Sequence, residues 1–433
     1  MTRSIALLSF LLIVSVIGNG PARGQGVFSF TKDARNPILT GGVEGSWYKH
    51  LLAPCVIYNE DSSKYEMWFA ACAGVTTPPA RIGRATSRDG IDWSISTSPV
   101  LVPTPGGWDS FNLESPVVIR ENGTYKMWYV GYASTNDDYH IGYATSPDGI
   151  TWTKQGSTYI LGPSGKGWDA GGAYVCSVLP VQGGYRMWYT GYDAGYDSSK
   201  IGTATSPDGA AWIRDTVNNP ILSPGVAGTW DDRFLLAPIV LRIDDRYYMW
   251  YTGMRTNTGF WERAGMASSL DGVTGWTKDP QNPRMNPTPG AWDETYCEVT
   301  SVVKVGRTIH LWYDGAALPA ESNRFRIGHA MAVITGIDGS KSRELRENFS
   351  LLQNYPNPFN PSTTIRYALS LRSQVVLTVF NTLGQRIAVL ENGVLEAGSH
   401  AVRFDGSNLA SGVYFYRLQA GTFSQTRKLL LSK

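Results

Sequence analysis

Two glutamates interrupt segments that are otherwise apolar: Glu114 in "NLESPVVI" and Glu298 in "YCEVTSVV". A carboxylate placed there loses hydration, so it needs either a salt-bridge partner or a chemical task. The task would be acid and base work, one carboxyl holding a proton to give and the other ionised. Each lies six residues beyond a tryptophan, Trp108 and Trp292. The same count from Trp47, Trp168 and Trp230 reaches Ala53, Tyr174 and Leu236. An aspartate follows four of these five tryptophans, at Asp109, Asp169, Asp231 and Asp293, and Asp232 stands beside the third.

These counts work because the chain repeats itself. Met67-Trp68, Met127-Trp128, Met187-Trp188, Met249-Trp250 and Leu311-Trp312 recur at spacings of 60, 60, 62 and 62 residues. Each is followed by a basic residue and an "IG" or "AG" pair, and four units then carry an Asp-Gly turn: "SRDGIDW", "SPDGITW", "SPDGAAW" and "SLDGVTGW". Short apolar runs cut by Asn-Gly and Asp-Gly predict four-stranded antiparallel units joined by tight hairpins. Four-stranded sheets repeated about an axis make a β-propeller, and five units predict five blades. The fifth unit ends at "RIGHAMAV" without a fourth strand. "DARNPILTGGVEGSW" near the N-terminus parallels "DTVNNPILSPGVAGTW" inside the chain, so residues near 28–39 are expected to close the ring.

Residues repeated in every unit are mostly scaffold, and residues that break the pattern are better candidates for function. Strand alternation puts the tryptophan entries and the loops at 73–80, 131–139, 192–199, 254–262 and 316–325 on one face. Aromatic and acidic side chains around a central depression suit sugars, because rings stack on C–H faces and carboxylates bond hydroxyls. The candidate ligand contacts are His50, Asp109, Tyr132, Asp169, Tyr174, Asp193, Arg233, Arg255, Trp261 and Asp293. Arg233, Arg255 and Arg324 are the arginines that could face an acidic sugar. The Asp-Gly turns, on the opposite face, resemble the structural Asp-box hairpins of sialidases.

The 433 residues carry a formal net charge of +2, with 17% charged residues and no Lys/Arg cluster, which argues against a nucleic-acid partner. Arg3, the apolar run from Ile5 to Ile17 and "ARG" at 22–24 predict a signal peptide over 1–24, and the mature chain is expected to have no membrane span. Cys55, Cys72, Cys176 and Cys297 have no CxxC spacing. No metal or cofactor is expected, and no residue pattern argues for a channel calcium ion. Cys55 and Cys72 would sit in one hairpin, as a bridge or as buried thiols.

"ESPVVIRENGTYKMWYVG", Glu114 to Gly131, resembles the general-acid segment of five-bladed propeller glycosidases of glycoside hydrolase families 43 and 32. The resemblance covers 27–337. It implies Glu114 as general acid, with Glu298, Asp231 or Asp232 as counterpart, in an enzyme cleaving poly- or oligosaccharides. "KHLLAPC" carries no acid where those enzymes have a first-blade aspartate, which keeps a non-catalytic glycan-binding propeller as the alternative. After a linker at 338–347, residues 348–433 predict a small immunoglobulin-like β-sandwich. "FSLLQNYPNPFNPSTTIRYALS" and "SGVYFYRLQAG" resemble the type A sorting domain of the type IX secretion system. That implies the secretion machinery as partner and a secreted or outer-surface destination.

Overall fold

The computed structural model describes residues 28–74, 79–135, 137–244, 246–255, 261–317 and 324–334, and from 350 onward all but 352, 355, 370–371, 397 and 421–422. The expected signal peptide and linker lie outside the described residues. The chain divides into two compact units, Phe28–Val333 and one that contains Ile334–Lys433.

Five four-stranded antiparallel sheets build the first unit. Their first strands are His50–Asn59, Asn112–Glu121, Gly172–Val181, Phe234–Ile243 and Tyr296–Val305. Each of these touches the first strand of the next sheet, and the last touches the first, so the sheets form a closed β-propeller. The second strands, from Lys64–Cys72 to Thr308–Ala316, bury Trp68, Trp128, Trp188, Trp250 and Trp312 almost completely. Third strands such as His140–Ser146 follow, and the fourth are two or three residues long.

The repeated words now have physical meanings. The glycine of each "IG" or "AG" pair lies beneath aromatic rings. A Cβ on Gly142 would come within 2.5 Å of Tyr129, and one on Gly202 within 2.5 Å of Trp168. Those rings form a layer in each sheet, with Trp108 stacked on Tyr129, Trp168 on Tyr189, Trp230 on Tyr251 and Trp292 on Tyr313. The Asp-Gly turns are organised by their own side chains. Asp148 accepts from the amides of Ile150 and Thr151, and Ser146 accepts from Gly149 N. They also staple neighbouring sheets: Trp68 Nε1 donates to the Gly149 carbonyl at 2.9 Å, Trp128 to Gly209 at 2.8 Å, Trp188 to Gly272 at 2.8 Å and Trp312 to Gly90 at 3.0 Å. The fifth sheet has no such turn. Among the described residues the buried Trp250 Nε1 has no partner, and Phe28 and Phe30 pack edge-on against its ring instead.

Ring closure follows the sequence expectation. Thr31–Lys32 pairs with the last propeller strand, Arg326–Val333, through Thr31 opposite Met331 and Lys32 opposite Ala330. Asn36 exchanges two hydrogen bonds with the His329 backbone, both at 2.8 Å. Asn219 and Asn282 do the same for Thr203 and Met266. Beside this seam, His310 Nδ1 and His329 Nε2 lie 3.1 Å apart, with His329 fully buried.

The second unit packs a three-stranded sheet and a four-stranded sheet over one apolar core that includes Phe359, Ile365, Leu377, Phe404, Tyr416 and Leu429. Its asparagine-rich opening is tied down by side chains. Tyr416 Oη accepts from Asn354 N at 2.8 Å, and Asn357 accepts from Leu430 N at 2.8 Å.

Cys55, Cys72 and Cys297 are buried free thiols. The register pairs Cys55 with Trp68 and Cys72 with His50, which separates the two hairpin cysteines along the ladder and rules out the bridge. Cys55 Sγ instead accepts from Val118 N at 3.2 Å.

Candidate active site

Glu114 and Glu298 come together. They line one cavity of about 320 Å³, with Leu52, Ala53, Cys72, Phe111, Asn112, Ser115, Tyr132, Tyr174 and Phe325 among the remaining walls. The cavity opens among first-strand entries and second-to-third loops, the face expected from strand alternation.

A local irregularity positions these groups. Every first strand shifts register at one point: Leu52/Cys55, Glu114/Val117, Tyr174/Cys176, Leu236/Ile239 and Val299/Ser301. In three sheets the bulge holds a non-glycine residue in the left-handed region, Ala53 at φ 46°, Ser115 at φ 47° and Ala237 at φ 48°. Such backbone is costly and is found where surrounding structure enforces it, often beside working sites. The register also corrects the count from the tryptophans. Glu114 pairs with Val130 and Glu298 with Asp314, while the matching first-sheet pair is Leu52 with Ala70, so Leu52 rather than Ala53 is the counterpart.

The two glutamates have opposite surroundings. Glu114 is an acceptor: Tyr132 Oη donates to Oε1 and Tyr174 Oη to Oε2, each at 2.7 Å, with Asn112 Nδ2 at 3.4 Å from Oε1. Glu298 lies among acids. Burial first, then the carboxyls of Glu262, Asp314 and Glu114, push it well above the usual carboxylate range. Glu262, at the start of Glu262–Ser269, is buried and pushed up to about 8 by burial and then Asp314. Asp314, also buried, is pushed up to about 7 by burial, although its Oδ1 accepts from Ala53 N at 2.9 Å. Like charges this close cannot all ionise, so protons are retained within the group. Tyrosines extend the wall, Tyr139 lying edge-on to Tyr132, Tyr174 and Tyr196 and tilted against Tyr192. Among the described residues no three His, Cys, Asp or Glu side chains are grouped to hold a metal ion.

The aspartates after the tryptophans have another role. Asp109, Asp169, Asp231 and Asp293 are all buried and bound to a cation on the fourth strand of their own sheet: Lys154 at 2.5 Å, Arg214 at 2.8 Å, Lys278 at 2.6 Å and, across the closure, Lys32 at 2.5 Å. Each also accepts from the second-strand tyrosine twenty residues on, Tyr129, Tyr189, Tyr251 and Tyr313. They clamp four of the five sheets from entry loop to outer edge and are not among the residues lining the cavity. Asp232 accepts from Gly228 N at 2.8 Å within the entry turn. Asp193 organises its own loop by accepting from Asp197 N and Ser198 Oγ, and Arg233 fastens that loop through Asp197. His50 is buried and outside the lining; its Nδ1 accepts from Phe325 N at 3.4 Å. Arg255 is half-buried and Trp261 exposed, flanking residues outside the described set. Of the sequence candidates, the cavity thus gathers Glu114, Glu298, Tyr132 and Tyr174.

Asp314 and Tyr139 were missed, while Glu262 ends the 254–262 loop that the sequence placed on the working face. Asp314 had a signal: two residues past the strand tryptophan the other units read Ala70, Val130, Thr190 and Thr252, and only the fifth carries an acid.

Residues 353–432 match the secretion system C-terminal sorting domain, which marks the chain for type IX secretion to the cell surface or beyond. The chain is 34% identical over 225 residues to the Uncharacterized protein MT1551 of Mycobacterium tuberculosis, covering 50% of this chain and 72% of that one. It is 31% identical over 155 residues to a 1,2-beta-oligomannan phosphorylase of a Thermoanaerobacter species, covering 35% of this chain and 45% of the relative. A solved structure described under "The GH130 family of mannoside phosphorylases contains glycoside hydrolases that target beta-1,2 mannosidic linkages in Candida mannan" superposes with a TM-score of 0.57 at 18% identity, over 71% of this chain and 95% of that one. It supports the propeller fold, and the family that it names is not the expected family 43 or 32. The identity and coverage of the mycobacterial relative settle the kinship: this chain belongs to the same protein family as MT1551 of Mycobacterium tuberculosis.

Proposed function

We propose that this is an exported enzyme that cleaves β-mannosidic bonds, β-1,2 linkages first among them, by hydrolysis or phosphorolysis. The observation that carries the reading is the pair of glutamates with opposite environments on one cavity wall. Glu298, whose proton is held by burial and three neighbouring carboxyls, supplies the general acid that protonates the leaving oxygen. Glu114, accepting from two tyrosines, stands as the carboxylate that activates the attacking group or stabilises positive charge on the sugar. This exchanges the roles that the sequence resemblance implied. The mannoside substrate comes from the phosphorylase relative and the GH130 structure, whose names state that chemistry.

The test is product analysis with the full chain on β-1,2-mannobiose and longer β-1,2-mannan, with and without inorganic phosphate, alongside an aryl-glycoside panel. Free mannose without phosphate identifies a hydrolase, and mannose 1-phosphate identifies a phosphorylase. Loss of turnover in both Glu298→Gln and Glu114→Gln supports the pair. Activity confined to another sugar on the panel replaces the mannoside, and binding without turnover on every substrate favours the glycan-binding propeller.

A further inference from the structure

A second, larger cavity of about 560 Å³ opens beside the carboxylate cavity, walled by Gly41, Gly42, Lys49, Glu44, Arg324 and Arg326 among others. The two linings are adjacent in sequence at Phe325. Its side chain belongs to the carboxylate cavity, and the arginines on either side of it in sequence belong to the second. Chemically they are opposites. The first gathers carboxyls and tyrosines; the second sets three cations against one carboxylate, and that carboxylate, Glu44, is 84% exposed. Two of the cations are held in place. Arg324 Nη2 donates to the Gly42 carbonyl at 2.7 Å, and Lys49 Nζ pairs with Glu44 at 2.8 Å. Among the described residues, the buried Arg324 Nε has no hydrogen-bond partner. The loop that carries the wall is tight, since a Cβ on Gly41 would fall 2.0 Å from the Lys49 carbonyl oxygen.

We propose that this pocket is an oxyanion subsite that takes a carboxylate or phosphoester carried by the glycan, one sugar or more from the bond being cut. A guanidinium recognises a planar or tetrahedral oxyanion through paired N–H donors, and the cationic lining supplies the attraction. The acids of the first cavity repel the same group, so a chain with an anionic substituent is placed in one register, its neutral residue over Glu114 and Glu298 and its charged residue beyond Phe325. The subsite rests on the glycan-cleaving reading for its purpose. Its binding is measurable without turnover.

The experiment is titration calorimetry on the full chain at low and physiological salt, with D-glucuronic acid, D-mannose 6-phosphate and neutral D-mannose as probes. Saturable binding of an anionic probe that weakens at least about fivefold with salt and in Arg324→Gln is expected. The exposed Glu44→Gln should act in the opposite direction and tighten the anion, while D-mannose is indifferent to both changes. A response to glucuronic acid alone assigns a uronate, and a response to the phosphate alone assigns a phosphoester. No saturable anion binding by the wild type, or affinity unmoved by both substitutions, overturns the subsite. Failure of cleavage with intact anion binding would sink the enzymatic reading and leave the subsite standing.

Discussion

The propeller buries two populations of acids. Asp109, Asp169, Asp231 and Asp293 recur in four of the five units, and each is met by a lysine or arginine and a tyrosine. Glu298, Glu262 and Asp314 do not recur, and among the described residues no cation pairs with them; Glu298 faces the carboxyls of Glu262 and Asp314, and Glu262 faces that of Asp314. The first population stabilises sheets, because a buried charge with a close counter-ion and a hydrogen bond is tolerated. The second would be expelled from a scaffold that had no use for it. Repetition with partners marks structure, and repetition broken without partners marks the site.

The largest effect expected from breaking this contrast is on turnover. Glu298→Gln should lower the rate by about 10²–10⁴-fold, the usual worth of a general acid. It should leave stability nearly unchanged, since Gln replaces a side chain that burial and its acidic neighbours already hold neutral. Rate and denaturant midpoint measured on the same preparation decide this, and a marked loss of stability would return Glu298 to the scaffold. Asp231→Ala should do the converse. It strands Lys278, and a loss of about 3 kcal/mol is expected in denaturant unfolding, with turnover per folded molecule preserved.

Acidity separates the populations again. With Asp314 and Glu262 pushed up to about 7 and about 8, the stability linked to their protonated forms is complete below their ordinary range. It is lost as pH rises through about 7 to 8. Asp314→Asn should flatten the decline in melting temperature between about pH 4 and pH 7. The histidine pair works from the other side. Burial, then His310, pushes His329 down to about 4, so stability falls as pH drops from the ordinary histidine range toward 4. His329→Gln should blunt that acid limb. The smallest effect concerns the staples. Trp128→Phe removes a bond to Gly209 and should cost about 1 kcal/mol from that bond, whereas Trp250→Phe removes an indole N–H that has no partner and should cost less.

Much of this was readable beforehand, for physical reasons. A 60-residue period, Asp-Gly turns and a misplaced terminal strand are local signals, and they gave the repeat, the sheets and the closure. Glu114 and Glu298 were legible because acids in apolar strands are conspicuous. The entry aspartates were misread because their counter-ions lie 45 to 47 residues further on, or at the far end of the chain for Asp293, where spacing alone reveals no contact. Ala53 was misaligned because the first unit reaches its bulge one residue sooner, which only the strand register exposes.

The pairing of Thr31–Lys32 with Arg326–Val333 also sets an order of events. The strand that completes the fifth sheet is made first and its neighbours last, so about 300 residues must emerge before it has a ladder to join. Closing a loop of that length costs about 5 kcal/mol of chain entropy, which the seam contacts of Lys32, Asn36 and Phe28 must exceed. Until they do, the chain is an open strip with two unpaired edges. Completion of the ring is then a late step of folding, and a carboxylate cavity walled by residues from both ends of the propeller, Leu52 and Phe325 among them, is complete only with it.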